Sequence, residues 1–359
     1  MRLGVAAALV GGSFVPGDVE VEDGAIAAVG LEPRGRDIAA PGFVDLQVNG
    51  FAGVDLMHAG ADGWAAAGEA MLATGVTAYR PTVITAAEDE MAAALASIDA
   101  APGSGPRILG AHLEGPFISA ARLGAHPPEH RRDPDVALLE RLLSAGPVAH
   151  VTLAPELPGA GELIDLLAAR GILVAAGHSD ATAAQAHAGF DRGVRTVTHL
   201  FNAMRPAVAR EPGLALAALA RDDVVVQLIA DGHHVAVDAM RVAWAAARGR
   251  LALVSDAVSA AAAGDGEFTL GGRPVRAEGG VVRDAAGRLA GSALTMDAAV
   301  RRLHALGAPL EEALAAASTV PAALAGRPEL GTLAPGTPAD VVVLDDRLEV
   351  VRTLVTGAG

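Results

Sequence analysis

The chain has 359 residues, a formal charge of −15 and no cysteine. Disulfides and thiolate metal sites are excluded, so any metal ligands must be His, Asp or Glu. The acidity argues against nucleic acid, which needs a basic surface, and no stretch reaches the roughly 18 unbroken apolar residues of a membrane span.

Met1-Arg2 followed by the apolar stretch 3–10 could be read as a short signal peptide, but a single Arg makes that a weak case. The next segment, 19–29, alternates polar and apolar residues around Asp23-Gly24, which is a hairpin pattern. The N-terminus is therefore read as the first strand of a small sheet, and a cytoplasmic protein is expected by default.

Eight apolar runs of strand length follow, at 43–46, 76–79, 108–113, 148–153, 172–176, 194–198, 224–229 and 251–254. Ala-rich, helix-prone segments separate them. Alternation of this kind predicts a parallel sheet, and eight repeats predict a closed (β/α)8 TIM barrel. An open doubly wound sheet is the alternative; a Gly-rich phosphate loop after the first run would favour it, and none is present.

The runs end in polar residues: Gln47 and Asn49, Arg80, His112 and Glu114, Glu156, His178, His199, Asp231, and Asp256. In a barrel all such ends meet on the catalytic face. Three of them supply a carboxylate and two histidines, enough to hold one divalent metal with a position left for water. At the first end, Gln47 and Asn49 stand where a metal-dependent barrel hydrolase usually carries His-x-His, and amides bind zinc or iron far more weakly than imidazole. His58, His130, His150, His187 and His304 are not needed for this account and are expected at the surface or behind the site. The helix containing His187 has Ser179 or Asp180 available as its cap.

Residues 1–41 and 328–359 are strand-and-turn in character and too short to stand alone. Pairing them gives a small β-sandwich domain beside a barrel domain at 42–327.

Eight segments in order carry a resemblance that runs nearly end to end. They are His112-Leu113-Glu114-Gly115-Pro116-Phe117, Val151-Thr152-Leu153-Ala154-Pro155-Glu156, Ala176-Gly177-His178-Ser179, Thr198-His199-Leu200-Phe201-Asn202-Ala203-Met204, Arg210-Glu211-Pro212-Gly213, Ala230-Asp231-Gly232-His233-His234, Val254-Ser255-Asp256-Ala257 and Gly291-Ser292-Ala293-Leu294-Thr295-Met296. The chain resembles the N-acetylglucosamine-6-phosphate deacetylases of the amidohydrolase superfamily, in the branch with Gln-x-Asn and a single tightly held metal.

The resemblance implies Glu114, His178 and His199 as metal ligands and Asp256 as general base and then acid. It implies His126 as a hydrogen-bond partner of the substrate near its carbonyl, and Ala125 as a backbone contact. Backbone N–H groups of Asn202 and Ala203 are expected on the 6-phosphate, helped by Arg210 and His234, with Asp231 in the same substrate-binding set. Leu289, Ala290 and Gly291 match a loop that closes over the sugar. The family also implies one divalent ion per subunit, zinc or iron, and a homodimer in which Arg210 serves its own or the partner's site. The expected reaction converts N-acetylglucosamine 6-phosphate to glucosamine 6-phosphate and acetate. N-acetylgalactosamine 6-phosphate or another N-acyl amino sugar phosphate is an alternative substrate. A catalytically dead sugar-phosphate sensor is a remoter one, since that reading would call for loss of Asp256 or Glu114.

Overall fold

The computed structural model describes residues 1–355 apart from Ala100, Pro102 and Ser104, so positions 356–359 of the C-terminal piece lie outside the described residues. Its centre is a nearly closed parallel barrel. The strands are β1 (Phe43–Val48), β2 (Val76–Ile84), β3 (Ala111–Glu114), β4 (Val148–Leu153), β5 (Leu173–Ala176), β6 (Thr196–Val197), β7 (Val225–Leu228) and β8 (Leu251–Leu253). β1 pairs with β2, and the others follow in sequence order to β8. β1 and β2 are buried along their whole length. That is why the strands read as unbroken apolar runs: a parallel strand covered by helices has no solvent face.

The seam between β8 and β1 is closed just beyond the strands. Val48 pairs with Ala257, and the backbone N–H groups of Asn49 and Gly50 donate to Ala257 O at 2.7 and 3.1 Å. Below them the Asp45 carboxylate accepts from the N–H groups of Gln47 and Ser255, at 3.3 and 3.2 Å.

Helices fill the connections. The helix Ala183–Arg192 is capped by Thr182, whose hydroxyl accepts from Gln185 N while the Gln185 side chain returns to Thr182 N. Ser179 and Asp180, the caps expected from sequence, are used elsewhere: Ser179 donates to Glu156 Oε2, and Asp180 pairs with Arg122 and Arg205.

Two other expectations need correction. Because β2 runs on to Ile84, Arg80 is a mid-strand residue, and it bonds to the carbonyls of Leu109 and Ala325 away from the catalytic tips. His150 is not a surface residue. It is fully buried inside the barrel, stacked on His112 with ring centroids 3.9 Å apart. Burial pulls both imidazoles down, His112 to about 3, so both are neutral at pH 7.

The chain ends form a five-stranded sheet in the order Ser13–Pro16, Ala7–Val10, Ile38–Pro41, Val341–Leu344, Val350–Leu354. A hairpin of Asp18–Glu22 and Ala25–Leu31 lies with it. Their shared core includes Val5, Ala8, Val19, Ile26, Ala39, Val341 and Val343. One further element was not foreseen: a three-stranded antiparallel sheet of Gly266–Leu270, Arg273–Glu278 and Val281–Asp284. Alternating residues on either side of Gly271-Gly272 were its signal, a two-glycine hairpin turn.

Candidate active site

The tips of β3, β5 and β6 bring three donor atoms to one point. Glu114 Oε1 lies 3.2 Å from His178 Nε2 and 3.0 Å from His199 Nε2, and the two imidazole nitrogens are themselves 3.0 Å apart. All three residues are buried. Two ring nitrogens this close cannot both carry protons without repulsion, and a shared cation resolves the conflict. His178 Nδ1 faces the Arg122 carbonyl at 2.9 Å, so it is the protonated nitrogen and the Nε2 lone pair points inward. The donor set therefore fits a divalent metal of zinc or iron type.

Burial pushes the Glu114 carboxyl up, but contacts with His126, His178 and His199 together outweigh it and hold the group well below the usual range. Gln47 adds a hydrogen bond from Nε2 to Glu114 Oε1 at 3.1 Å. Asn49 does the same for the facing carboxylate, its Nδ2 donating to Asp256 Oδ1 at 2.8 Å. The two amides therefore brace acids. Asp256 is pushed up to about 6, first by burial and then by the charge of Glu114.

The backbone at these tips is unusual. His178, His199 and Asp256 have φ of 47°, 33° and 48°. Side chains in left-handed backbone cost energy and persist where the surrounding structure imposes them, which is typical of functional sites.

One cleft contains Asn49, Glu114, His178, His199 and Asp256 together with Ala125, His126, Asn202, Ala203, His234, Leu289 and Gly291. His126 Nδ1 lies 2.9 Å from Thr85 Oγ1 and 3.4 Å from Thr85 N, and the opposite nitrogen, Nε2, lies 3.7 Å from Glu114 Oε2. Burial, then the neighbouring His178, pulls His126 down to about 4, so it is a neutral donor. Asp231 accepts from His234 Nδ1 at 2.6 Å and from the N–H groups of His233 and His234. Its contribution to the cleft is to aim His234. Burial pushes the Asp231 carboxyl up, and these contacts bring it below the usual range.

Several expected contacts are indirect or distant. Asn202 N–H is already committed to His199 O at 3.0 Å, whereas Ala203 N–H has no backbone acceptor among the described residues. Ala290 is fully buried, outside the cleft lining. Arg210 is exposed and also outside the lining. Conversely, Ile84, Ile229 and Leu270 line the cleft and were not anticipated. Leu270 comes from the unforeseen hairpin; Ile84 lies beyond the end of the predicted second run.

The amidohydrolase family matches residues 38–358. The chain belongs to that family. This amidohydrolase is 41% identical over 341 residues to human N-acetylglucosamine-6-phosphate deacetylase, covering 90% of this chain and 83% of the human one. It is 39% identical over 351 residues to N-acetylgalactosamine-6-phosphate deacetylase of Escherichia coli O157:H7, covering 94% and 93%. Among solved structures, a mutant Mycobacterium smegmatis N-acetylglucosamine-6-phosphate deacetylase in complex with N-acetylglucosamine 6-phosphate superposes with a TM-score of 0.93 at 35% identity, covering 100% of this chain and 98% of that one. The Thermotoga maritima enzyme of the same name gives 0.90 at 34% identity, with 99% and 98% covered. Family membership implies a divalent metal, and Glu114, His178 and His199 are the candidate ligands.

Proposed function

We propose that this amidohydrolase removes the acetyl group of N-acetylglucosamine 6-phosphate, giving glucosamine 6-phosphate and acetate. The observation that carries the reading is the convergence of Glu114, His178 and His199 opposite Asp256, braced by Asn49, in one cleft. Relatives covering most of the chain act on this substrate by name.

Glu114, His178 and His199 would hold one divalent ion per subunit, zinc before iron. When bound, such an ion supplies Lewis-acid polarisation of the acetamide carbonyl and lowers the pKa of water. Asp256 accepts the proton of the attacking water as its oxygen adds to the carbonyl carbon. His126 donates its Nε2 hydrogen to the developing oxyanion. Asp256 then passes its proton to the sugar nitrogen as the C–N bond breaks, and acetate and the free amine leave. Asn49 keeps Asp256 oriented and ionised between turnovers. Ala203 N–H, His234 and Arg210 receive the 6-phosphate, with Arg210 reaching its own or a partner's cleft in a homodimer.

Residues 1–41 and 328–359 act as one accessory domain to the barrel at 42–327. We take the protein to be cytoplasmic; no helix among the described residues is long and apolar enough to cross a membrane. A second substrate reading, N-acetylgalactosamine 6-phosphate, is favoured by the E. coli relative that covers 94% of this chain.

Acetate release from both 6-phosphorylated sugars and their unphosphorylated forms, run with metal analysis of the purified protein, tests the proposal. Release from the 6-phosphorylated glucosamine derivative at the highest kcat/KM is expected. No release from any of the four in the metal-loaded protein refutes it.

A further inference from the structure

The N-terminal face of the barrel, opposite the catalytic tips, contains a second cavity of about 360 Å3. Leu173 at the start of β5, Gly193 ahead of β6 and Ala325 border it, and three guanidinium groups line it: Arg80, Arg192 and Arg195. Arg192 and Arg195 are exposed; Arg192 pairs with Asp165 at 2.6 Å, and Arg195 lies in the field of Asp223 without a direct ion pair. Arg195 bonds through Nη1 to the carbonyls of Phe190 and Val194. Arg80 is 3% exposed; Nε donates to Leu109 O at 3.2 Å and Nη2 to Ala325 O at 3.4 Å. Its Nη1 is buried with no protein partner. Among the described residues, no ion pair involves Arg80 or Arg195.

This arrangement is costly in its present form. A buried guanidinium needs an opposite charge, and carbonyl dipoles replace only part of the water it lost. Burial pulls Arg80 down to about 10, which still leaves it cationic at neutral pH. In a chain with fifteen excess negative charges, acidic partners for it were abundant, yet none stands there. Buried Arg80, which has no ion pair, and the exposed Arg195 and Arg192 border a space large enough for a tetrahedral oxyanion. Guanidinium forks match such anions with parallel hydrogen bonds.

We propose that this cavity is a second anion site, which binds a phosphate group on the barrel face opposite the active site. The phosphate is either free orthophosphate or the head of a small phosphate ester. Its charge offsets that of buried Arg80, with exposed Arg195 as a second contact, so occupancy stabilises the fold as ligand rises above Kd.

The test is equilibrium dialysis of the metal-loaded enzyme against radiolabelled orthophosphate and, separately, glucose 6-phosphate. Two variants alter the cavity: Arg195→Ala removes a fork, and Ala168→Glu, on the neighbouring exposed helix end, supplies a tethered carboxylate. Both should bind one phosphate fewer per chain than wild type while keeping wild-type deacetylase kcat. Ala168→Glu should also raise Tm in phosphate-free buffer, by a few degrees. The difference of one does not depend on how many anions bind at the catalytic face. The ligand that saturates this site at the lower concentration identifies the source as free phosphate or ester. Equal stoichiometry in wild type and Ala168→Glu for both ligands overturns the proposal, even if Arg195→Ala fails to fold.

Discussion

Replacing Asn49 with Ala isolates what the amide does for the acid beside it. Asn49 Nδ2 donates to Asp256 Oδ1 at 2.8 Å inside a buried site. A hydrogen bond to a charged group is worth about 1.5–3 kcal/mol, and 1.36 kcal/mol corresponds to one pKa unit. The bond favours the ionised carboxyl, so its loss raises the Asp256 pKa, from about 6 by about 1–2 units. Catalysis needs the carboxylate at the start of the cycle, so activity falls as pH drops through this pKa. The acid limb of the kcat/KM profile should therefore move up by about 1–2 pH units in Asn49→Ala. A bound metal lowers the pKa in both proteins, so the displacement between them survives. At pH well above the limb, the variant should recover most of its activity, which a folding defect would not allow. Profiles of wild type and variant measured side by side decide the matter. An unmoved limb, or a uniform loss at every pH, refutes the idea that Asn49 holds Asp256 ionised.

Asp256→Asn should keep its metal yet lose on the order of 10²-fold or more in kcat, whereas His199→Ala should lose metal and activity together; near-normal turnover in the first variant removes Asp256 from the proton path. Elemental analysis after dialysis should find about one tightly held divalent ion per chain, because the amides of Gln47 and Asn49 cannot replace imidazoles, and two would contradict this. Arg210→Ala should lose about 1.5–3 kcal/mol in kcat/KM on the 6-phosphate substrate, mostly through KM, and almost nothing on the unphosphorylated sugar. Equal losses on both substrates assign Arg210 to the scaffold.

The barrel and the metal cluster were legible because burial imposes strong patterns. Two-sided burial turned the strands into apolar runs, and a Glu and two His at the tips of such runs stand out as polar groups with nowhere cheap to go. Side chains that leave the strand before its end were harder. Arg80 looked like a tip residue because polarity stops an apolar run, although β2 continues through Pro81 to Ile84. His150 looked dispensable because sequence spacing does not reveal a stacking partner on the next strand, here His112. The roles of Gln47 and Asn49 were half visible: their weakness as ligands followed from chemistry, but their grip on Glu114 and Asp256 needed geometry. Arg210 depended wholly on the family resemblance, and in the single chain it is exposed.

The closing of the barrel has a consequence for how the protein is made. Asn49 and Asp256 are 207 residues apart yet share a hydrogen bond, and Asp45 ties Gln47 to Ser255 across the same seam. Farther out, Ile38–Pro41, the strand that leads into β1, pairs antiparallel with Val341–Leu344. A chain emerging from the ribosome therefore presents β1 long before either of its seam partners exists. The apolar run 43–46 can pair with β2 early, but its seam edge must wait, exposed or chaperoned, until residues 255–257 exist, and 38–41 until 341–344 exist. Activity should consequently appear only once residues 341–344 have left the ribosome, and not grow with the length of the nascent barrel.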